Sequence, residues 1–86
     1  MIKVYLKNDG TINKNRVTLE TERGNLVLYF SYETIIGFVY AGERVVCKNE
    51  WSVTTGKYLN ELEPDKSKRV DSVVMLEKLE KILNNF

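Results

Sequence analysis

The chain has 86 residues, 43% of them hydrophobic and 29% charged, with a formal net charge of +1. This size and balance predict one soluble domain over residues 1–86 and argue against a basic nucleic-acid coat, an acidic nucleic-acid mimic or a polybasic membrane binder. It contains no histidine and one cysteine, Cys47, so Ser-His-Asp hydrolysis, an internal disulfide and a thiolate zinc site are excluded.

Ile2, Val4 and Leu6 alternate with Lys3, Tyr5 and Lys7, a period of two that predicts a half-buried strand. Asn8-Asp9-Gly10 then turns the chain. A second strand is expected over Arg16 to Glu22, with Val17, Leu19 and Thr21 on one side. Gly24 closes the next connection. Asn25 to Ser31 is apolar on both sides and reads as a central strand. Another strand follows from Glu33 to Tyr40. Ser31 is expected to bond back to the chain where it bends near Tyr32. Ala41-Gly42 then forms a hairpin into Glu43 to Lys48.

Alternation stops at Trp51. Ser52, Thr54 and Thr55 suit helix caps, and Gly56 to Glu63 predicts a short helix that buries Tyr58, Leu59 and Leu62 and stops at Pro64. Trp51 is expected in the core. Residues 65–69 form a charged connector. Asp71 or Ser72 caps a final helix to Asn84, with Val73, Leu76, Leu79, Ile82 and Leu83 as its apolar face. The expected fold is α+β: an antiparallel meander of about five strands, then a short helix and a C-terminal amphipathic helix packed on one sheet face. Leu26, Leu28, Phe30, Ile36, Leu76 and Leu79 are the expected core.

The chemistry is sparse. Gly56-Lys57 matches only the end of a phosphate-binding loop, with Trp51 where that loop has its first glycine and Tyr58 where it has Ser or Thr. Glu61, Glu63 and Asp65 lack calcium-loop spacing, so no metal is implied, and nothing implies a cofactor. Cys47 reads as a buried structural thiol. No catalytic residues are assigned, and the chain is not expected to be an enzyme. Thr54, Thr55 and the amides of Gly56 and Lys57 would cluster at a helix N-terminus, where the Lys57 ammonium adds charge. Ser52, Asn60 and nearby Arg69 extend this candidate anion site. Lys3, Lys7, Arg16, Arg44 and Lys48 can share a sheet face with Tyr5, with Glu20, Glu22, Glu43 and Glu50 on or beside that face.

Ser31-Tyr32-Glu33-Thr34-Ile35-Ile36, followed by Trp51-Ser52-Val53-Thr54-Thr55-Gly56-Lys57-Tyr58-Leu59-Asn60, resembles an uncharacterised family of short proteins from phages, archaeal viruses and other mobile elements. Tyr58 stands where many of those relatives carry histidine. The resemblance implies a small stand-alone viral or mobile-element accessory protein and adds Tyr32, Thr34 and Tyr58 to the candidate residues.

Two functions are consistent with these residues. The first is protein–protein interaction with a host protein or with a second copy, with Tyr5, Tyr29, Tyr32 or Tyr40 as anchors. The alternative is nucleic-acid or phosphate binding through the Thr54–Lys57 turn and the basic sheet residues. Neither needs a membrane. A lone thiol without an export signal implies an intracellular setting, the host cytoplasm for a viral protein.

Overall fold

The computed structural model describes residues 2–50 and 53–85. Five strands form one antiparallel sheet in sequence order: β1 (Lys3–Asn8), β2 (Lys14–Thr21), β3 (Gly24–Ser31), β4 (Thr34–Tyr40) and β5 (Glu43–Val46). Two helices follow, α1 (Val53–Leu62) and α2 (Ser72–Asn84), with a single 3₁₀ turn at Lys66–Lys68 between them. The expected α+β meander is the observed fold.

Each hairpin has a local cause. Thr21 Oγ1 accepts from the Arg23 amide and donates to the Gly24 carbonyl, which closes the β2–β3 turn. Gly24 itself has φ +124°. Between β4 and β5, Ala41 and Gly42 both adopt positive φ, 53° and 80°, the handedness that a two-residue hairpin needs to match strand twist. The expected bend near Ser31 is also a two-residue hairpin: Ser31 pairs with Thr34, and Tyr32 takes φ 55°. Among the described residues, the Ser31 side chain does not bond back to its own turn. Its hydroxyl instead lies 2.8 Å from Thr55 Oγ1 on α1.

The register sorts side chains between the two faces, since directly paired residues point the same way. Val4, Leu19, Leu26, Tyr40 and Glu43 share one face; Tyr5, Thr18, Val27, Val39 and Arg44 share the other. The helices take opposite faces. Glu43 reaches Lys78 of α2 at 3.7 Å, whereas its neighbour Arg44 donates to the Leu62 carbonyl at the end of α1 at 2.9 Å. Lys14 and Ser31, which share the Arg44 face, contact Glu61 and Thr55 of α1. The core comprises Leu26, Ile36, Phe38, Val45, Val46 and Cys47 from the sheet region, Tyr58, Leu59 and Leu62 from α1, and Met75 and Leu79 from α2. A bulge between Tyr29 and Phe30 leaves Ile36 as an extra residue on β4, and it is fully buried.

Three core expectations are corrected. Leu76 is exposed, and Met75 takes its place; Val73 and Leu83 are exposed as well. Leu28 and Phe30 are only half-buried. The common reason is that α2 lies over the β4–β5 side, where Phe38, Tyr40 and Val45 form a groove with Lys78, Lys81 and Ile82. Among the described residues, that face is covered as far as Leu26 of β3, and it is exposed at Ile2, Val4 and Leu6, the last two on β1. Tyr29 and Tyr40, expected as exposed anchors, are partly buried and packed against the core. Glu43, expected on or beside the basic face, points to the face opposite Arg44. The Trp51 expectation lies outside the described residues.

The two sheet edges differ. Beyond β5, Cys47 bridges Val70 in parallel: Val70 N donates to the Val46 carbonyl at 3.0 Å, and Lys48 N to the Val70 carbonyl at 2.7 Å. β1 pairs only with β2 among the described residues. Asp9 N donates to the Lys14 carbonyl at 2.8 Å, in register with the β1–β2 ladder. By the alternation of an antiparallel ladder, the backbone groups of Val4, Leu6 and Asn8 therefore face outward.

Candidate basic cleft

α1 begins at Val53, three residues earlier than expected, so Thr54 and Thr55 lie inside its first turn rather than capping it. The Lys57 amide then has an intrahelical partner at Val53, and the expected free amide is corrected. Ser52, the remaining cap candidate, lies outside the described residues. Thr55 is buried against Ser31, and Thr54 is exposed. Tyr58 turns inward. Its hydroxyl is buried without a hydrogen-bond partner among the described residues, and burial, with the Asp9 carboxylate, pushes it up to about 12. The Lys14 ammonium lies 5.7 Å from the centre of the Tyr58 ring. Tyr32 and Thr34 border a separate shallow cleft with Asn8, Ile12 and Asn15. None of these five residues joins Lys57.

Three expected residues do converge. Lys57, Asn60 and Arg69 line a cleft of about 520 Å³, together with Lys48, expected only as a basic sheet residue, and Lys66, which sequence reasoning did not include. Four segments supply the cations: the stretch after β5, α1, the 3₁₀ turn and the strand-like residue after it. Asp65 builds that turn. Its carboxylate accepts from the Ser67 hydroxyl at 2.6 Å and the Ser67 amide at 3.0 Å, which holds the Asp65 carboxyl below its usual value. The turn sets Lys66 on the rim, and the two Val70 hydrogen bonds to the β5 edge fix the backbone beside Arg69.

Arg69 is the most constrained of the four. It is 6% exposed. Nη2 donates to Asn60 Oδ1 at 2.6 Å and to the Glu63 carbonyl at 2.9 Å, and Nε donates to the same carbonyl at 3.0 Å. Lys48 reaches Asp71 at 3.3 Å, both being well exposed. No carboxylate among the described residues forms an ion pair with Lys57, Lys66 or Arg69. Gly56 also lines the cleft. A Cβ there would come within 2.8 Å of Asn49 Nδ2, so glycine lets Asn49 lie against α1.

Cys47 is fully buried, and burial, reinforced by the Glu50 carboxylate, pushes its thiol up from 9.0 to about 11. Among the described residues, no group of three or more Cys, Asp or Glu side chains is placed to hold a metal ion. No helix among them is long and apolar enough to cross a membrane.

No curated protein and no solved structure matches the chain. A family model does match, over residues 1–78, and by that match the chain belongs to the family of unknown function DUF8033.

Proposed function

We propose that this protein is a non-enzymatic interaction module whose open sheet face pairs with a second copy of the chain. The carrying observation is the exposure of that face. Ile2, Val4 and Leu6, which share the α2 side of the sheet, are 59%, 57% and 80% exposed. Leu76 and Leu83 continue the surface at 46% and 43%. At 100° per residue, Leu76 and Leu83 point well away from Lys78, which faces Glu43 on β5. They therefore flank the side of α2 turned toward β3 and β2.

These five side chains expose on the order of 500 Å², as much as the largest patch of an ordinary monomer, roughly 300–600 Å². Half-buried Val17, Leu19, Leu28 and Phe30 lie between them. The whole face approaches the 800 Å² or so that each partner contributes to a standard interface. A net charge of +1 imposes almost no repulsion between copies. The absence of histidine from the sequence and the raised pKa of Cys47 support a role in binding rather than turnover. The resemblance of the Ser31–Asn60 region supports a viral or mobile-element accessory protein, and the lone reduced thiol supports an intracellular setting.

Sedimentation across about 1–100 μM tests the pairing. The expected result is a concentration-dependent dimer that Leu6→Lys converts to a folded monomer. A chain that stays monomeric throughout, or a dimer that Leu6→Lys leaves intact, overturns it.

A further inference from the structure

We infer that the cleft between α1 and the 3₁₀ turn binds a phosphate-bearing anion of nucleotide size. The argument starts from Arg69. A guanidinium never loses its proton in a protein, and taking a full charge out of water costs several kcal/mol unless it is paired. Arg69 is 6% exposed, yet its partners are two neutral oxygens, those of Asn60 and Glu63. Those oxygens orient the guanidinium without neutralising it.

The neighbouring charges have the same sign. Lys57 and Lys66 stand on the cleft walls, without an ion pair among the described residues, and Lys48 stands at its edge beside Asp71. Bringing cations from four segments to one concavity is costly through mutual repulsion, and a multivalent anion removes that cost. Asn60 completes the chemistry. Its Oδ1 is held by Arg69, so its Nδ2 donors are presented in a fixed direction. A planar fork beside lysine point charges suits phosphoryl oxygens. The volume of about 520 Å³ lies within the range of small-molecule pockets, roughly 300–1,000 Å³. Val53 adds an apolar wall.

The same phosphoryl chemistry occurs in free nucleotides and at the ends of oligonucleotides. Calorimetric titration of the full chain with pyrophosphate, ATP and a 5′-phosphorylated single-stranded oligonucleotide separates them. The expected result is saturable binding that weakens by about tenfold or more in a Lys57→Ala/Lys66→Ala variant and falls steeply with added salt. Equal affinity for ATP and the oligonucleotide assigns the site to a nucleotide-sized ligand. Much tighter oligonucleotide binding that survives removal of its 5′-phosphate overturns the nucleotide-sized reading. Absence of binding to all three probes at low salt, or binding that the double variant leaves unchanged, overturns the site itself. Both lysines are solvent-exposed, so a preserved circular dichroism spectrum is expected. Because neither lysine touches the open sheet face, this result is independent of the oligomeric state.

Discussion

Ser31 Oγ and Thr55 Oγ1 meet at 2.8 Å, both side chains buried, and this pair joins the end of β3 to the first turn of α1. One hydroxyl serves the other where water has no access. Removing either leaves a buried polar group without that bond. Thr55→Val, which keeps the shape, is expected to lower stability by about 1–3 kcal/mol. Combining it with Ser31→Ala is expected to cost less than the sum of the two single changes, read by urea unfolding in a double-mutant cycle. Strict additivity would show that the pair carries no coupling.

Met75 and Leu76 are adjacent on α2 and are expected to behave very differently. Met75→Ala empties a fully buried position and is expected to cost about 2–5 kcal/mol. Leu76→Ala changes a half-exposed side chain and is expected to cost under about 1 kcal/mol in the monomer. Equal losses would place α2 in a different rotation about its axis.

Gly37 has no room for a side chain. A Cβ there would lie 3.0 Å from the Val45 carbonyl oxygen and 3.2 Å from Val46 Cγ2. The first of these is backbone and cannot swing away. Gly37→Ala is therefore expected to destabilise by about 1–3 kcal/mol, as an overpacked core does, with thermal unfolding as the measurement.

Ala41 is expected to accept improvement. It holds φ 53° in front of Gly42, in a turn that favours Asn-Gly. Ala41→Asn is expected to raise stability by about 0.5–1 kcal/mol, because asparagine tolerates the left-handed region better than alanine does. A loss of stability would mean that the turn is not under strain at this position.

Alkaline pH is expected to weaken the fold in two overlapping windows. The Cys47 thiol ionises near 9.0 when unfolded and at about 11 when folded. Its folded value is raised, so its contribution is complete below 9.0 and is lost as pH rises toward 11. Tyr58 adds a second loss between 10.0 and about 12. Denaturation midpoints measured from pH 8 to 11 are expected to fall, and Cys47→Ala is expected to flatten the lower part of that fall. An unchanged profile in Cys47→Ala would assign the loss to other groups.

The sheet was legible because its alternation is strict. Val17, Leu19 and Thr21 against Arg16, Thr18 and Glu20 admit one period and hence one element type. The rotation of α2 was not legible for a related reason. Val73, Val74, Met75, Leu76, Leu79, Ile82 and Leu83 wrap more than half of the helix, so the period reveals a helix without choosing its buried side. Met75 and Leu79 are buried because α2 lies over β4 and β5, a tertiary fact with no local signal. The start of α1 was misplaced because Thr54 and Thr55 are good caps that also serve inside a first turn when one of them has a buried partner such as Ser31. Lys57, Asn60 and Arg69 were found through their proximity to one turn. Lys48 reads as one of the basic sheet residues and Lys66 as part of a charged connector, so neither is placed beside Lys57 by sequence; the Val70 bridge helps to bring their segments together.

That bridge also limits how copies of the chain can add to one another. β5 has four residues, and Val70 already occupies the Val46 carbonyl and the Lys48 amide on its outer side. Among the described residues, the Arg44 backbone groups and the Val46 amide are left facing outward there, by the alternation of the ladder. Among the described residues, β1 keeps a full row open. A filament built by strand addition needs two usable ends on every unit, and among the described residues this sheet has one long open edge. Growth through the edges therefore terminates after a single step. The exposed apolar strand that invites association belongs to a fold in which runaway polymerisation has no second foothold.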